Sequence, residues 1–431
     1  MVEIYGSKDL GKFLNKLEKR GSAASVEQAV RDIIDAVKNE GDAALNRFSQ
    51  KFDGISKVYE VSKEQIEEAY NSRDKRFTEA LERAKANIYD FHVRQKRQGY
   101  VVAEKEGIIL GYRILPVEKV GLYVPGGTAA YPSSVLMNAI PAKVAGVDEI
   151  IMVTPPSKGG GVNPDILAAC KICGIDRVFI AGGAQAVAAL AYGTETIPKV
   201  DKIIGPGNVY VATAKKLLFG AVDIDMIAGP SEILIIADES ADPAFIAADM
   251  MSQAEHDPLS SSVLITTSKE LAQNVISELK RQVERLERKD IILKSLQSYG
   301  AIIIAESLKE ACAISNRIAP EHLEIMTGRP FELLGLIKNA GSVFLGSFTP
   351  EPLGDYYSGS NHVLPTNGTA RFFSCLGVDS FVKRSAFTYY SEDALKACAE
   401  DVIGLARKEG LSAHANSVSV RLKGADNVQS E

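Results

Sequence analysis

The sequence predicts an α/β protein: two incomplete doubly wound parallel sheets in series, flanked by a small N-terminal helical arm and a C-terminal segment. Three observations carry this. From about Ile114 the chain repeats a unit of apolar strand, glycine turn and helix. Near-continuous apolar strands alternating with helices imply a parallel sheet covered on both faces. The unit series also runs twice, over residues 116–230 and again over 231–378, so each series is expected to be a Rossmann-like sheet of its own. Finally, 431 residues with 46% hydrophobic and 24% charged side chains suit two or three ordinary globular domains.

Taken in order, residues 1–23 are charged and Lys-rich and are expected to form the helical arm. Ser25-Val-Glu-Gln28 and Ser62-Lys-Glu-Gln65 match the S/T-x-x-Q capping box. The first heads a helix to about Asn39 and the second a long helix to about Arg97, with Gly54 in the break between them. His92, among Tyr89, Phe91 and Val93, reads as a partly buried structural histidine. Residues 24–115 are grouped with 231–378 as the α/β domain that bears the chemistry. Residues 116–230 are expected to form a second, Rossmann-like domain.

That second domain begins with the strand Val117–Val124, the turn Pro125-Gly126-Gly127 and a helix from Pro132 to about Ala145. Glu149–Thr154, Arg177–Ala181 and Lys202–Ile204 are its further strands. The helices between them begin at Asn163-Pro-Asp165, Ala184 and Val209. In the second series the strands are Glu232–Ala237, Ser262–Thr266, Ala301–Ala305, Leu323–Met326 and Ser342–Leu345. Its helices are 243–256, 269–286, 308–318 and 331–338. Residues 379–431 hold one helix, Ser391–Lys408, and an alternating tail, Ser417-Val-Ser-Val-Arg-Leu422. About fifty residues cannot bury a core alone, so this segment must dock on something.

Totals exclude several classes of function. A net charge of −6 argues against nucleic acid or an anionic membrane as main partner. No run approaches the roughly 18 apolar residues of a membrane span, and Met1-Val-Glu-Ile-Tyr-Gly6 lacks a signal-peptide pattern. Five cysteines, an odd number without a spaced framework, fit a reducing cytoplasm. Cys170 and Cys173 form one CxxC, but a zinc ribbon needs a second pair; within an apolar helix they read as small hydrophobes. Cys375 has no neighbouring base in sequence and also reads as structural.

Pro125-Gly-Gly127, Gly182-Gly-Ala-Gln185 and Gly205-Pro-Gly-Asn208 each follow a strand and precede a helix, where backbone N–H groups can approach a phosphate. None completes G-x-G-x-x-G, and strand-to-helix turns use glycine for steric reasons alone. Three such turns in one domain nevertheless point to a nucleotide. Ligands in such sheets bind beyond the carboxyl ends of the strands.

The most informative stretch is Ser252-Gln-Ala-Glu-His-Asp-Pro258, which closes the apolar run Pro243–Met251. Gln253 and His256 lie three apart, on one helix face, and can converge on one target. A histidine at a helix end can also simply cap loose carbonyls. However, the chain has only five histidines, and His256, His322, His362 and His414 all stand beside acids or amides. Imidazole and carboxylate together make a usual zinc set, which His256, Asp355 and His414 could supply. Glu321-His322 offers the two titratable groups that proton abstraction needs.

At this point the chain resembles the histidinol dehydrogenase family over nearly its whole length. The resemblance is carried by Gly121-Leu-Tyr-Val-Pro-Gly-Gly127, Gly229-Pro-Ser-Glu232, Ser252–Pro258, Ala319-Pro-Glu-His-Leu-Glu324, Gly354-Asp-Tyr356, Ser358-Gly-Ser-Asn-His-Val-Leu-Pro365 and Leu411-Ser-Ala-His414. It implies an aldehyde-dehydrogenase-like fold and a zinc-dependent enzyme of histidine biosynthesis. That enzyme oxidises L-histidinol to L-histidine through the aldehyde with two NAD+. By position it implies Gln253, His256, Asp355 and His414 as metal ligands, these four also touching substrate. Glu321 and His322 stand as the acid/base pair, His322 contacting substrate as well. Ser231, His362 and Glu409 match further substrate contacts, and Tyr123, Gln185 and Asn208 match NAD+ contacts. The resemblance also implies a homodimer in which the C-terminal segment lends Glu409 and His414 to the other subunit's site. Tyr357 and Ser360 depart from the family's more frequent Ala and Thr beside the substrate loop. Alternatives are a related zinc- and NAD-dependent dehydrogenase of another small alcohol such as a sulfonated diol, a zinc hydrolase without use for NAD+, and a silent binding module.

Overall fold

Glu3–Gly6 is already a strand, β1, and it pairs in parallel with Ala301–Ile304 at the edge of a large sheet. The expected helical arm therefore contains a strand, with the helix α1 (Leu10–Glu18) following it. Unpaired edge N–H and C=O groups of the sheet recruit the short Ile4-Tyr5 segment, which has too few residues to sustain a helix of its own. The computed structural model describes residues 2–6, 9–18, 20, 26–126, 130–157 and 159–423. Ser25 of the first capping box and Gly127 of the first glycine turn lie outside the described residues. The chain forms two units, Met1–Lys96 with Val117–Phe381, and Arg97–Pro116 with Val382–Glu431.

In the larger unit α2 (Glu27–Glu40) and α3 (Asp42–Asp53) end the first helical stretch, α3 stopping at Gly54 in the left-handed conformation (φ 73°). The capping box at Ser62 forms as the sequence indicates: Ser62 Oγ accepts from Gln65 N, and the Gln65 side chain accepts from Ser62 N. The expected long helix is broken in two, α4 (Lys63–Asn71) and α5 (Lys75–Val93). Asp74 causes the break, because its carboxylate accepts from Phe77 N (3.1 Å) and starts a new helix.

Tyr100–Lys105 (β2) and Ile108–Pro116 (β3) form an antiparallel hairpin that belongs to the smaller unit. The larger unit resumes at β4 (Lys119–Tyr123). It continues through α6 (Pro132–Ala145), β5 (Glu149–Thr154), α7 (Pro164–Cys173), β6 (Arg177–Ile180), α8 (Gly183–Tyr192), β7 (Lys202–Ile204), α9 (Val209–Leu218) and β8 (Asp223–Ile224). These strands make one parallel sheet in the order β6-β5-β4-β7-β8. Alternate residues feed opposite cores: Leu122, Met152 and Val178 pack on one face, and Tyr123, Val153 and Phe179 on the other. Helices α2 and α3 bring Val30, Ile33 and Leu45 to the second face, while α4 and α5 bring Ile66, Leu81 and Ile88 to the first. The sequence reading grouped these helices with residues 231–378; their apolar stripes instead cover this five-stranded sheet.

The second sheet contains β9 (Glu232–Ala237), β10 (Ser261–Thr266), β11 (Gly300–Ile304), β12 (His322–Met326) and β13 (Ser342–Leu345). Its order is β1-β11-β10-β9-β12-β13, again all parallel. Helices α10 (Pro243–Ala254), α11 (Lys269–Gln282), α12 (Lys289–Tyr299), α13 (Leu308–Ile318) and α14 (Pro330–Leu334) intervene. Ile233, Ile235 and Leu264 pack to one side; Leu234, Ile236, Val263 and Leu323 pack to the other. Each sheet changes crossover direction beside its first strand, at β4/β7 and at β9/β12. A short helix, α15 (Glu351–Tyr356), follows β13.

The smaller unit adds β14 (Val382–Tyr390), paired antiparallel to β3 from Val382↔Pro116 to Tyr390↔Ile108, and the helices α16 (Glu392–Lys408) and α17 (Ser412–Lys423). The alternating Ser-Val tail is thus helical. Ser419 Oγ bonds Ala415 O (3.0 Å), and Arg421 Nη1 bonds Ser417 O (2.6 Å). Both are one-turn helical contacts that an extended chain could not make. Among the described residues no helix is long and apolar enough to cross a membrane.

Candidate active site

The site is built where β9 and β12 begin. Glu232 and His322 are the first residues of these strands, and His322 pairs with Ile233 across the sheet. The chemistry-bearing cluster therefore lies at the amino ends, whereas the sequence reading expected the carboxyl ends. The reason is local: the loops that enter β9 and β12 carry Ser231 and Glu321, and α10 and α15 deliver their polar residues to the same rim.

Glu232 ties the rim together through its main chain and side chain alike. Its N–H donates to Glu321 Oε2 (2.9 Å), its Oε2 accepts from Glu321 N (3.3 Å), and its carbonyl O meets His322 Nδ1 at 2.9 Å. Arg20 forms a buried ion pair with Glu232 Oε1 and also donates to Asn367 Oδ1 (2.8 Å) and Leu259 O (3.2 Å). The carbonyl partner fixes His322 Nδ1 as the donor, leaving Nε2 to face Glu351 Oε1 at 3.6 Å and Asp355 Oδ1 at 3.8 Å. His322 Nε2, Glu351 Oε1 and Gln253 Nε2 are all buried without a hydrogen-bond partner. Buried polar atoms are normally satisfied, so three orphans in one place mark a site for something else. Donor atoms of His322, Glu351 and Asp355 lie within 4.8 Å of one another, a group that could hold a metal ion.

Electrostatics follow from this crowding. Burial would push the His322 imidazole down, but the carboxylates of Glu321, Asp355 and Glu351 outweigh it and hold the pKa up at about 10. Burial raises Glu321 to about 7, against the pull of His322, and Glu351 to about 8, with Asp355 adding to the rise. It would raise Asp355 as well, but contact with His322 and the charge of His362 hold that carboxyl at about 2.

Most of the sequence-predicted residues meet here. Gln253, in the last turn of α10, is 1% exposed and touches Glu351. Ser231 immediately precedes Glu232, and Ser231 O accepts from Ser261 N (3.0 Å). His362 Nδ1 contacts Asp355 O (3.2 Å), and its Nε2 contacts Ser134 Oγ (3.3 Å). His256 sits one turn beyond Gln253 with an open edge, outside the tight donor group but within the field of Asp355 and His322. It lines a cavity of about 450 Å³ together with Phe77, Ile88, Tyr131, Arg288 and Tyr356. Tyr357 lines the same cavity, and Ser360 Oγ contacts Ser358 Oγ (3.0 Å). Glu409 and His414 belong to the smaller unit, where Glu409 ends α16 and His414 stands exposed on α17.

The three residues proposed for NAD+ stand at the carboxyl rim of the five-stranded sheet. Tyr123 and Gln185 are buried and share one network: Gly183 N donates to Tyr123 Oη (3.1 Å), and Gln185 Nε2 donates to Asp53 Oδ2 (3.1 Å). Asn208 is exposed and caps α9, accepting from Tyr210 N (3.0 Å) and Val211 N (3.2 Å). The CxxC thiols are fully buried and pushed up by that burial, Cys173 to about 12, as inert core residues should be. His92 is wholly buried, its Nδ1 on Ile88 O at 2.8 Å.

Sequence reasoning missed Glu351, Arg20, Glu232 and the acid pair behind them. Glu324 Oε1 accepts from Glu351 N (2.8 Å), and Glu324 and Asp249 are both raised by burial, Asp249 to about 6. Only Glu351 left a signal, since it stands four residues before Asp355 on one short helix.

Doubly wound parallel sheets with a buried acid–imidazole cluster that could hold a metal ion suit an α/β enzyme acting on a small molecule. Comparison with known proteins narrows this. Residues 17–422 match the histidinol dehydrogenase family, and the chain belongs to it. It is 57% identical to the histidinol dehydrogenase of Clostridium acetobutylicum over 421 residues, covering 97% of this chain and 98% of that one. It is also 57% identical to that of Caldanaerobacter subterraneus over 429 residues, 98% and 99% of the two chains. The crystal structure of histidinol dehydrogenase from Elizabethkingia anophelis superposes with a TM-score of 0.91 at 38% identity, covering 99% of both chains.

Proposed function

We propose that the chain is a zinc-dependent histidinol dehydrogenase of the cytoplasm. It would oxidise L-histidinol to L-histidine through the aldehyde, reducing two NAD+ in the last steps of histidine biosynthesis. The observation that carries this is the meeting of donor atoms of His322, Glu351 and Asp355 within 4.8 Å of one another beside Gln253, with His322 Nε2, Glu351 Oε1 and Gln253 Nε2 buried and without partners. Gln253, His256 and Asp355 would hold the ion, with the exposed Glu409 and His414 of each chain completing the other subunit's site in a homodimer. Bound Zn2+ would act as a template for the substrate and offset the field of the surrounding carboxylates.

The chain's own residues then divide the work. His322, with Nδ1 fixed on the Glu232 carbonyl, takes the hydroxyl proton at Nε2 as hydride departs, which requires that a bound cation first relieve the carboxylate field that otherwise keeps the imidazole protonated. Only the hydrated aldehyde has a second hydride to give. Glu321, poised near pH 7, activates that water, and His322 takes the next proton. Both steps spare the thiols. The test is stoichiometry: two NADH per L-histidinol, abolished by a chelator and restored by Zn2+. One NADH per substrate, or full activity after verified metal removal, would overturn the reading. A substrate panel including other small diols separates related specificities.

A further inference from the structure

The turn Gly205-Pro-Gly-Asn208 lies between β7 and α9, at the switch point β4/β7 of the first sheet. Such crevices are where doubly wound sheets take ligands. Gly205 has φ +108°, and a Cβ there would collide with the carbonyl of Tyr123. Directly beneath, Lys215 of α9 and Asp225 form an ion pair whose side chains are 2% and 1% exposed. Lys215 Nζ donates to Gly205 O (2.9 Å), and Asp225 Oδ2 accepts from Gly205 N (2.8 Å). Asp225 Oδ1 also accepts from Met226 N (2.6 Å). Both backbone polar groups of one glycine are thus held by a single buried pair.

A buried ion pair is a poor device for stability, because desolvation offsets its attraction and apolar residues of similar volume serve as well. Nor is Lys215 turned outward toward a phosphate; its ammonium is spent inward. We infer that Lys215 and Asp225 are a positioning clamp that fixes the Gly205–Asn208 turn, and with it the neighbouring Tyr123, for the dinucleotide. The inference rests on the reading that NAD+ lies against this turn.

The test uses the full-length, zinc-loaded protein. The double variant Lys215→Met/Asp225→Leu leaves the Gly205 and Met226 backbone groups without these partners, so its thermal midpoint should fall modestly; its KM for L-histidinol should hold, while its KM for NAD+ rises roughly tenfold and its kcat stays within about twofold. Titration followed by the fluorescence of NADH itself should show the same weakening. A folded double variant with unchanged NAD+ KM overturns the clamp. So does a parallel rise of KM for both substrates, which is what a merely structural pair would give. If the double variant does not fold, Asp225→Asn keeps size and one acceptor, and its NAD+ KM should rise by a smaller factor; a folded Asp225→Asn without a rise overturns the clamp equally. Asn208→Asp separates the two levels, since aspartate keeps the helix cap but adds a negative charge facing a diphosphate. A raised NAD+ KM there beside a silent clamp variant removes the clamp alone. No change in Asn208→Asp removes the dinucleotide from this turn and the clamp with it.

Discussion

Replacing Arg20 by methionine strands the Glu232 carboxylate in the floor of the site. The two side chains are 1% and 6% exposed, so almost no water could take the guanidinium's place. Removing one partner of a buried pair costs about 3–5 kcal/mol. Arg20 also gives up its bonds to Asn367 and Leu259, so the upper part of that range is expected. The cost should depend on pH in a definite direction. Burial already raises Glu232 above its ordinary 4.5, with Arg20 opposing, and without Arg20 it rises further. A carboxyl raised in the folded state binds its proton more tightly there than in the unfolded chain. The part of the penalty due to the Glu232 charge is therefore absent below about pH 4.5 and grows toward the folded pKa, at up to about 1.4 kcal/mol per pH unit. Urea unfolding of wild type and Arg20→Met, followed by circular dichroism at about pH 5 and about pH 8, should show the larger loss at the higher pH. Adding Glu232→Gln should recover stability most at the higher pH, because no charge is left to bury. A loss under about 1 kcal/mol, or one equal at the two pH values, would refute the reasoning.

Further outcomes are expected on the same grounds. His322→Asn should lower turnover by about 10²–10⁴-fold while zinc measured by atomic absorption stays bound; retained turnover would sink its role as base, and lost zinc would make it a ligand. His256→Asn should release zinc, and a full complement of metal would strike it from the ligand set. Histidine 92 is held below its ordinary 6.5 by burial, so the unfolded chain takes up a proton that the folded one refuses. Its contribution is complete above pH 6.5 and is lost as pH falls below it, by at most about 1.4 kcal/mol per pH unit. His92→Gln should flatten the acid limb of the stability curve by up to one proton, and an unaltered slope would count against the assignment.

Much of the architecture was legible because the central parallel strands are apolar on both faces, as in Glu232–Ala237 and Arg177–Ile180. The hairpin β2–β3 and its partner β14 were not legible. Tyr100–Lys105 is exposed at every residue, so no alternation betrays a buried side. Ser417–Leu422 misled for the converse reason, its period of two being satisfied by one-turn bonds inside a helix. At the site, residues next to a histidine stood out, whereas Arg20–Glu232 and Lys215–Asp225 left no local trace. The first pair spans 212 positions, and both are ordinary charged residues until the fold buries them. Glu351 left only its four-residue spacing to Asp355, a signal that the acidic first turn it also fills explains equally well.

The placement of the acid–base residues at the start of β9 and β12 has an engineering corollary. Six residues of β9 put the opposite rim of that sheet about 20 Å away. The loop Asp238–Asp242 stands on that rim and is exposed at Glu239 and Ser240. A reporter peptide or affinity handle spliced between those two residues should leave turnover intact, giving a tethering point for immobilised enzyme.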